Sequence, residues 1–208
     1  MSNYCRTIEI IGEGITEKAY VESIRDIIKY RPRKIHQASS IAEIERCIKS
    51  CIARGVTDVL CLIDMDNKIA DGQHDHDINA EKYHVLKAQY HNRILTNSKK
   101  ESSHIVFIES YPSIEIFFLY YGQYTTAAKT NEGLKSELKD KYGYEVSAKY
   151  FNKHSLHEVV FSCNGGCLKN AINNSRKSAK NRCIDNKHAA YSEMHTLFDI
   201  LEVYEQQV

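Results

Sequence analysis

Proline occurs only twice in this 208-residue chain, and no Pro/Ser-rich hinge, low-complexity tract or internal repeat breaks it up. An array of domains on flexible linkers, or a solenoid, is thereby excluded. Long apolar runs are missing as well: nothing approaches the roughly 18 residues that a membrane-spanning helix needs. The opening stretch MSNYCRTIEIIGEG has no signal-peptide core and reaches a turn by Gly12, so the expectation is a cytoplasmic protein. Charge of one sign is not in excess either. At a net charge of +1, bulk electrostatics neither demands nor excludes a nucleic-acid partner, and steering has to come from local patches. Neither a Walker-type phosphate loop nor a glycine-rich dinucleotide fingerprint occurs, and no Ser/His/Asp or Cys/His constellation is readable. The chain is therefore not itself an ATPase of that type.

What is present is an ordinary globular composition, 42% hydrophobic and 26% charged, enough for one large domain or a core with a smaller helical appendage. The seven cysteines are odd in number, and Cys47, Cys51 and Cys61 sit in apolar runs. Reduced core thiols follow rather than a disulfide framework.

The first half alternates strand and helix patterns. Thr7–Ile11 is a β-branched run ending at Gly12. Thr16–Tyr30 carries Tyr20, Ile24, Ile27 and Ile28 at helical spacing. Arg33–Gln37 is a weak second strand. Ser40 opens a helix with a capping box to Glu43, with Ile41, Ile44, Ile48 and Cys51 on one face and Gly55 past its end. Val59–Ile63 is an unbroken apolar run, as in a strand covered on both faces. A polar stretch, Asn67–Asn79, leads to a helix over Ala80–Leu95, a strand at Ile105–Ile108 and a buried helix at Ile114–Tyr121. The order predicts an α/β fold with a mostly parallel sheet flanked by helices. After Gly122 the texture changes: Thr130–Lys141 reads as a polar helix, and Tyr142–Lys153 as Tyr- and Lys-rich with a possible strand. Residues 1–122 are thus expected to form the α/β core and 123–208 a mainly helical subdomain packed on the sheet's end.

In an open parallel sheet, ligands gather beyond the carboxyl ends of the strands. Glu13 falls there after the first strand, between Gly12 and Gly14, which permit a tight turn. Asp64 and Asp66 follow the most hydrophobic strand, and residues i and i+2 leaving a strand point the same way. Carboxylates crowded beside apolar strands require neutralisation. A hard divalent cation such as Mg²⁺ takes one or two carboxylates plus water and substrate phosphate, and can activate water for phosphoryl transfer. Glu17 is either a further member of this group or an acid favouring a helix N-terminus. Glu115, alone among Ile114, Ile116, Phe117, Phe118 and Leu119, needs a partner: Ser113 nearby, or the same metal cluster.

Elsewhere, Asp71–Asp77 concentrates metal-capable side chains but lacks the order of a Ca²⁺ loop and reads as a solvated loop leaving the Asp pair. Cys163 and Cys167, with His154, His157, Cys183 or His188, have zinc-compatible spacing but no second matched pair. Lys169, Arg176, Lys177 and Lys180 share one face of a helix beginning near Cys167. With Lys187 and the tyrosines Tyr142, Tyr144 and Tyr150, they form the best candidate for contacting nucleic-acid phosphates.

The segments IGEGITEKAY (11–20), CLIDMDN (61–67) and YPSIEIFFLYY (111–121) together resemble the RloB-like proteins, a Toprim-related family. Its hallmarks are an EGxTE-type turn after strand one, a D-x-D after a hydrophobic strand, and a P-x-x-E helix with an aromatic tail. SEMHTL (192–197) is loosely similar to the family's closing helix. The resemblance implies a Toprim-like fold and Mg²⁺- or Mn²⁺-dependent cleavage of RNA or DNA. It also implies that Glu13 acts as general acid/base or metal ligand and Asp64 and Asp66 as metal ligands. Relatives of this type serve in bacterial antiphage defence beside an ABC- or AAA-type ATPase. Phe117 stands where a Trp is expected, and neither the Asp71–Asp77 segment nor the Cys163–Cys167 pair belongs to that pattern. Two other readings stay open: a non-catalytic effector or sensor docking onto an ATPase, and a phosphate-ester enzyme acting on small molecules. Exposure of 114–121 would favour docking, whereas burial would assign the segment to the core. Oligomeric state stays open.

Overall fold

A computed structural model describes residues 6–162, 165–182 and 189–204. Its strands are β1 (Ile8–Gly12), β2 (Lys34–Gln37), β3 (Asp58–Asp64), β4 (Arg93–Thr96), β5 (Ser102–Tyr111) and β6 (Tyr191–Ser192). Its helices are α1 (Ile15–Ser23), α2 (Ile41–Ala53), α3 (His74–Tyr90), α4 (Glu115–Leu119), α5 (Asn131–Tyr142), α6 (Ala148–Phe151), α7 (Leu156–Ser162), α8 (Leu168–Lys180) and α9 (His195–Leu201). The strand order is β2-β1-β3-β5-β4, with β6 also on β5. β2, β1, β3 and β5 run parallel, while β4 and β6 pair antiparallel with opposite ends of β5. The expected mixed α/β architecture, a mostly parallel sheet flanked by helices, is what the chain adopts.

Strand alternation sorts the core into two layers. Ile8, Ile10, Leu60, Leu62, Val106 and Ile108 face a cluster completed by α1, α4, α5, α7, α8 and α9. Ile11, Val59, Cys61, Ile63, Ile105 and Phe107 face the other way, onto Ile44, Ile48 and Cys51 of α2 and Tyr83, Leu86 and Tyr90 of α3. The interior of β3, Val59–Ile63, is apolar throughout because both of its faces are covered. The boundary after Gly122 separates segments that share one apolar cluster: Leu134, Leu138, Leu168, Leu197 and Phe198 pack with Ile10 and Leu62. No helix among the described residues is long and apolar enough to cross a membrane.

Several elements differ from the sequence expectation. α1 ends at Ser23, not Tyr30. Ile24 and Ile28 are buried as their spacing requires, but their neighbourhood bonds to the C-terminal segment: Lys29 N–H donates to Glu202 O at 2.8 Å and Tyr30 N–H to Leu201 O at 3.0 Å. α3 begins at His74, so half of the supposed Asp71–Asp77 loop is helix. Asp77 accepts from the Asp71 and Gly72 amides at 3.1 and 3.3 Å, which ties the preceding turn to the helix. Residues 93–95, expected to end that helix, lie in β4 instead, and Tyr142–Lys153 contains α6 rather than a strand. At α2, Ser40 Oγ accepts from Glu43 N–H as expected, yet the Glu43 carboxylate turns to the amide and hydroxyl of Ser39.

Candidate active site

Glycine makes the first turn of the site. A Cβ on Gly12 would lie 2.7 Å from the Cβ of Glu17, so only glycine lets α1 start this close to the end of β1. Gly14 is the N-cap residue, and its amide donates to Glu17 Oε2 at 2.8 Å. Glu17 is thereby turned back towards the sheet and is 2% exposed. It caps the helix, and it stands among the acids.

Asp64 ends β3, and its Oδ1 accepts from Ile114 N–H at 2.9 Å. The Pro112 carbonyl accepts from the amides of Met65 and Asp66, both at 3.0 Å, which fixes the chain as it leaves the strand. Glu13 reaches across: its Oε1 accepts from Asp64 N–H at 3.1 Å. Glu115 begins α4 and is buried, and its partner is Tyr144, whose hydroxyl donates to Oε1 at 3.0 Å. Ser113, the proposed neighbour, makes no such bond; its buried hydroxyl has no partner. Among the described residues no donor reaches the second carboxylate oxygen of Asp64 or Glu115.

The acids feel one another. Burial, reinforced by Glu17, Glu115 and Glu13, drives the Asp64 carboxyl well above its usual range. Burial, with the fields of Glu115 and Glu13, raises Glu17 to about 7. Burial also raises Glu13, against the pull of Lys68. Asp66 stands apart: it is exposed, its Oδ1 accepts from Asn67 N–H at 2.8 Å, and its Oδ2 meets Asn131 Nδ2. The structure thus gathers Glu13, Glu17, Asp64 and Glu115 and leaves Asp66 at the rim.

Lys68 is the component that the sequence reading missed. It is 3% exposed, and its ammonium donates to Glu13 Oε2 at 2.8 Å, the Asp64 carbonyl at 2.7 Å and Asn67 Oδ1 at 3.1 Å. Among the described residues, one cation thus stands beside the four acids, and it pairs with the carboxylate of Glu13 alone. The donor set is hard oxygen and the charge is under-compensated, which fits a divalent ion. The acids do not form a preorganised three-carboxylate cage. Among the described residues, the one group of three metal-capable side chains with ligand atoms all within 4.8 Å is Glu9, His36 and Cys51. That group is already neutralised, because the Arg54 fork meets Glu9 at 2.6 and 2.7 Å and His36 Nε2 lies 2.6 Å away. A comparable buried acid, Glu109, is held by Tyr83 at 2.6 Å, Arg182 at 2.8 Å and Lys87.

The basic face of α8 is where the spacing places it. Lys169, Arg176, Lys177 and Lys180 are exposed, opposite buried Leu168, Ala171, Ile172, Ser175 and Ser178. Arg176 pairs with Asp199, and Lys177 Nζ lies 4.1 Å above the Tyr124 ring. Two of the associated tyrosines are not surface residues: Tyr142 and Tyr144 are buried, because their rings pack with the core helices. The His154 ring lies 4.6 Å from the Tyr150 ring, tilted by 39°, and His157 Nδ1 lies 2.9 Å from the Tyr121 hydroxyl. Cys163, Cys183, Lys187 and His188 lie outside the described residues. Cys51 and Cys61 are buried free thiols, and Cys47 is half-buried and free. The segment 114–121 is buried throughout and serves the core.

The profile of one family, described as RloB-like protein, matches residues 8–201. No curated protein and no solved structure matches the chain.

Proposed function

The chain belongs to the RloB-like protein family, and on that premise we propose that it is a Toprim-like, Mg²⁺- or Mn²⁺-dependent nuclease. The observation that carries this reading is the group of four carboxylates gathered beyond the ends of β1 and β3, Glu17 and Glu115 buried and Glu13 and Asp64 half-buried, with one ammonium paired to it among the described residues. So much like charge is tolerated beside apolar strands only if something answers it. Asp64 with Glu17 or Glu115 would hold the cation, and Asp66 at the rim would meet substrate or its bound water. When bound, the ion would lower the pKa of a water and neutralise charge on the phosphodiester. Glu13, whose proton affinity is raised by burial, is the group on this chain suited to exchange a proton with that water. The exposed row Lys169, Arg176, Lys177 and Lys180 would hold the phosphate backbone of RNA or DNA. A role as the effector of a bacterial antiphage-defence system, gated by an ABC- or AAA-type ATPase, is part of the same proposal and rests on the family.

The test is an Mg²⁺/Mn²⁺-dependent cleavage assay on plasmid, single-stranded DNA and tRNA. Glu13→Gln and Asp64→Asn should each lower the cleavage rate by at least about a hundredfold. Asp64→Asn should also raise metal-free stability, since it relieves repulsion and keeps an acceptor for Ile114 N–H. Variants that cut as fast as the parent would overturn the assignment.

A further inference from the structure

A buried lysine inside a carboxylate group has a definite arithmetic. The Lys68 ammonium has three N–H donors, and the structure supplies three oxygens: a carboxylate, a backbone carbonyl and a side-chain amide, all within 3.1 Å. Those are the oxygen types that a hard cation takes as ligands. The position beside Glu13 is therefore a cation position, and it is filled by a tethered charge. Beyond it, Asp64 and Glu115 still carry carboxylate oxygens that meet no donor among the described residues. Many phosphodiester-cleaving sites place two metal ions about 3.5–4 Å apart.

We propose that Lys68 permanently occupies one of two cation positions, so that the site takes a single divalent ion, held by Asp64 with Glu17 or Glu115. This rests on the metal-dependent reading above and adds its stoichiometry and the role of Lys68. Lys68 is a positioning residue: through Glu13 and the Asp64 carbonyl it fixes the two ends of the site, while its charge stands in for a second metal. The consequence is specific. Removing the ammonium should open the Glu13 position to a second ion.

Binding of Mn²⁺ alone to the full chain, counted by the loss of the free-ion electron paramagnetic resonance signal, tests this without reference to cleavage. The parent should bind one Mn²⁺ and Lys68→Met two, with circular dichroism confirming that the variant is folded. Because Lys68→Met leaves the half-buried Glu13 carboxylate without its counter-charge, the double variant Glu13→Gln/Lys68→Met serves where the single one fails to fold. It removes both partners, and it should bind one Mn²⁺ with an affinity within about tenfold of the parent's. Two ions in the parent would overturn the proposal and leave the metal reading standing, as would a folded Lys68→Met that still binds one. Loss of Mn²⁺ from the double variant would overturn it too, by making Glu13 a ligand of the single ion. No binding by the parent would overturn the metal reading, and this inference with it.

Discussion

Buried acids in this protein are handled in two opposite ways. Burial pushes the Glu9 carboxyl up, but the Arg54 fork and the His36 ring outweigh it and hold its pKa at about 2. Glu109 is held at about 2 in the same way, Lys87, Tyr83 and Arg182 overcoming its burial. Between the ordinary carboxylate value of 4.5 and about 2, the unfolded chain binds protons at these positions that the folded chain does not. The stability that these two acids contribute is therefore complete above pH 4.5 and falls as the pH drops through that window. Arg54→Ala should cost about 3 kcal/mol at pH 7, because it leaves a buried charge without its partner. It should also roughly halve the steepness of the acid limb, since Glu109 keeps its cations. Urea unfolding at intervals from pH 7 to pH 2 checks both; an unchanged acid limb would refute the role given to Glu9. The residues of the carboxylate site were readable because acids at strand ends are unusual. Lys68 was not, because a lysine in a polar loop is by default solvated, and its only signal was its position two residues after the D-x-D. Glu9 and Glu109 were equally silent, as single acids within strands whose partners come from 45 and 73 residues away.

At the scale of elements, the junction of β1 and α1 is the tightest joint of the site. A methyl group on Gly12 would meet the Cβ of Glu17 at 2.7 Å, an atom fixed to the helix backbone that cannot swing aside. Gly12→Ala should therefore displace α1, cost about 1–3 kcal/mol as an overpacking change, and lower cleavage by moving Glu17 off its Gly14 bond. Thermal unfolding and the plasmid assay read the two effects separately; a variant with parental stability and rate would show that the joint has slack. Elements with a strong local signature were legible, among them β1, β3, the Ser40-capped α2 and the buried α4. β4 was not, because Arg93–Thr96 follows α3 with no glycine or proline to mark the break, and its strand character comes from pairing with β5. β6, two residues long, has no periodicity to detect. The end of α1 was missed because apolar spacing reports burial, and Ile24 and Ile28 are buried without being helical.

For the molecule as a whole, the question is whether the sheet can stand without the chain that follows Gly122. One face of the sheet is covered largely by Leu134, Leu138, Tyr144, Leu156, Leu168, Leu197 and Phe198, each worth about 1.5–3 kcal/mol when buried. A few such residues equal the whole stability of an ordinary domain, about 5–15 kcal/mol. Polar contacts run the same way. Arg182 neutralises Glu109, Tyr144 completes Glu115, and Ser192 Oγ lies 2.9 Å from Ser110 Oγ at the edge of β5. A fragment ending at Gly122 would expose that apolar face and strip partners from two buried acids. It should show no cooperative unfolding transition and poor amide dispersion in nuclear magnetic resonance spectra, whereas the full chain should melt in a single transition. A fragment that melts cooperatively would mean that α2 and α3, with the other core cluster, are sufficient to hold the sheet. The carboxylate site would then be a property of the first 122 residues alone, instead of one completed by Tyr144 from beyond them.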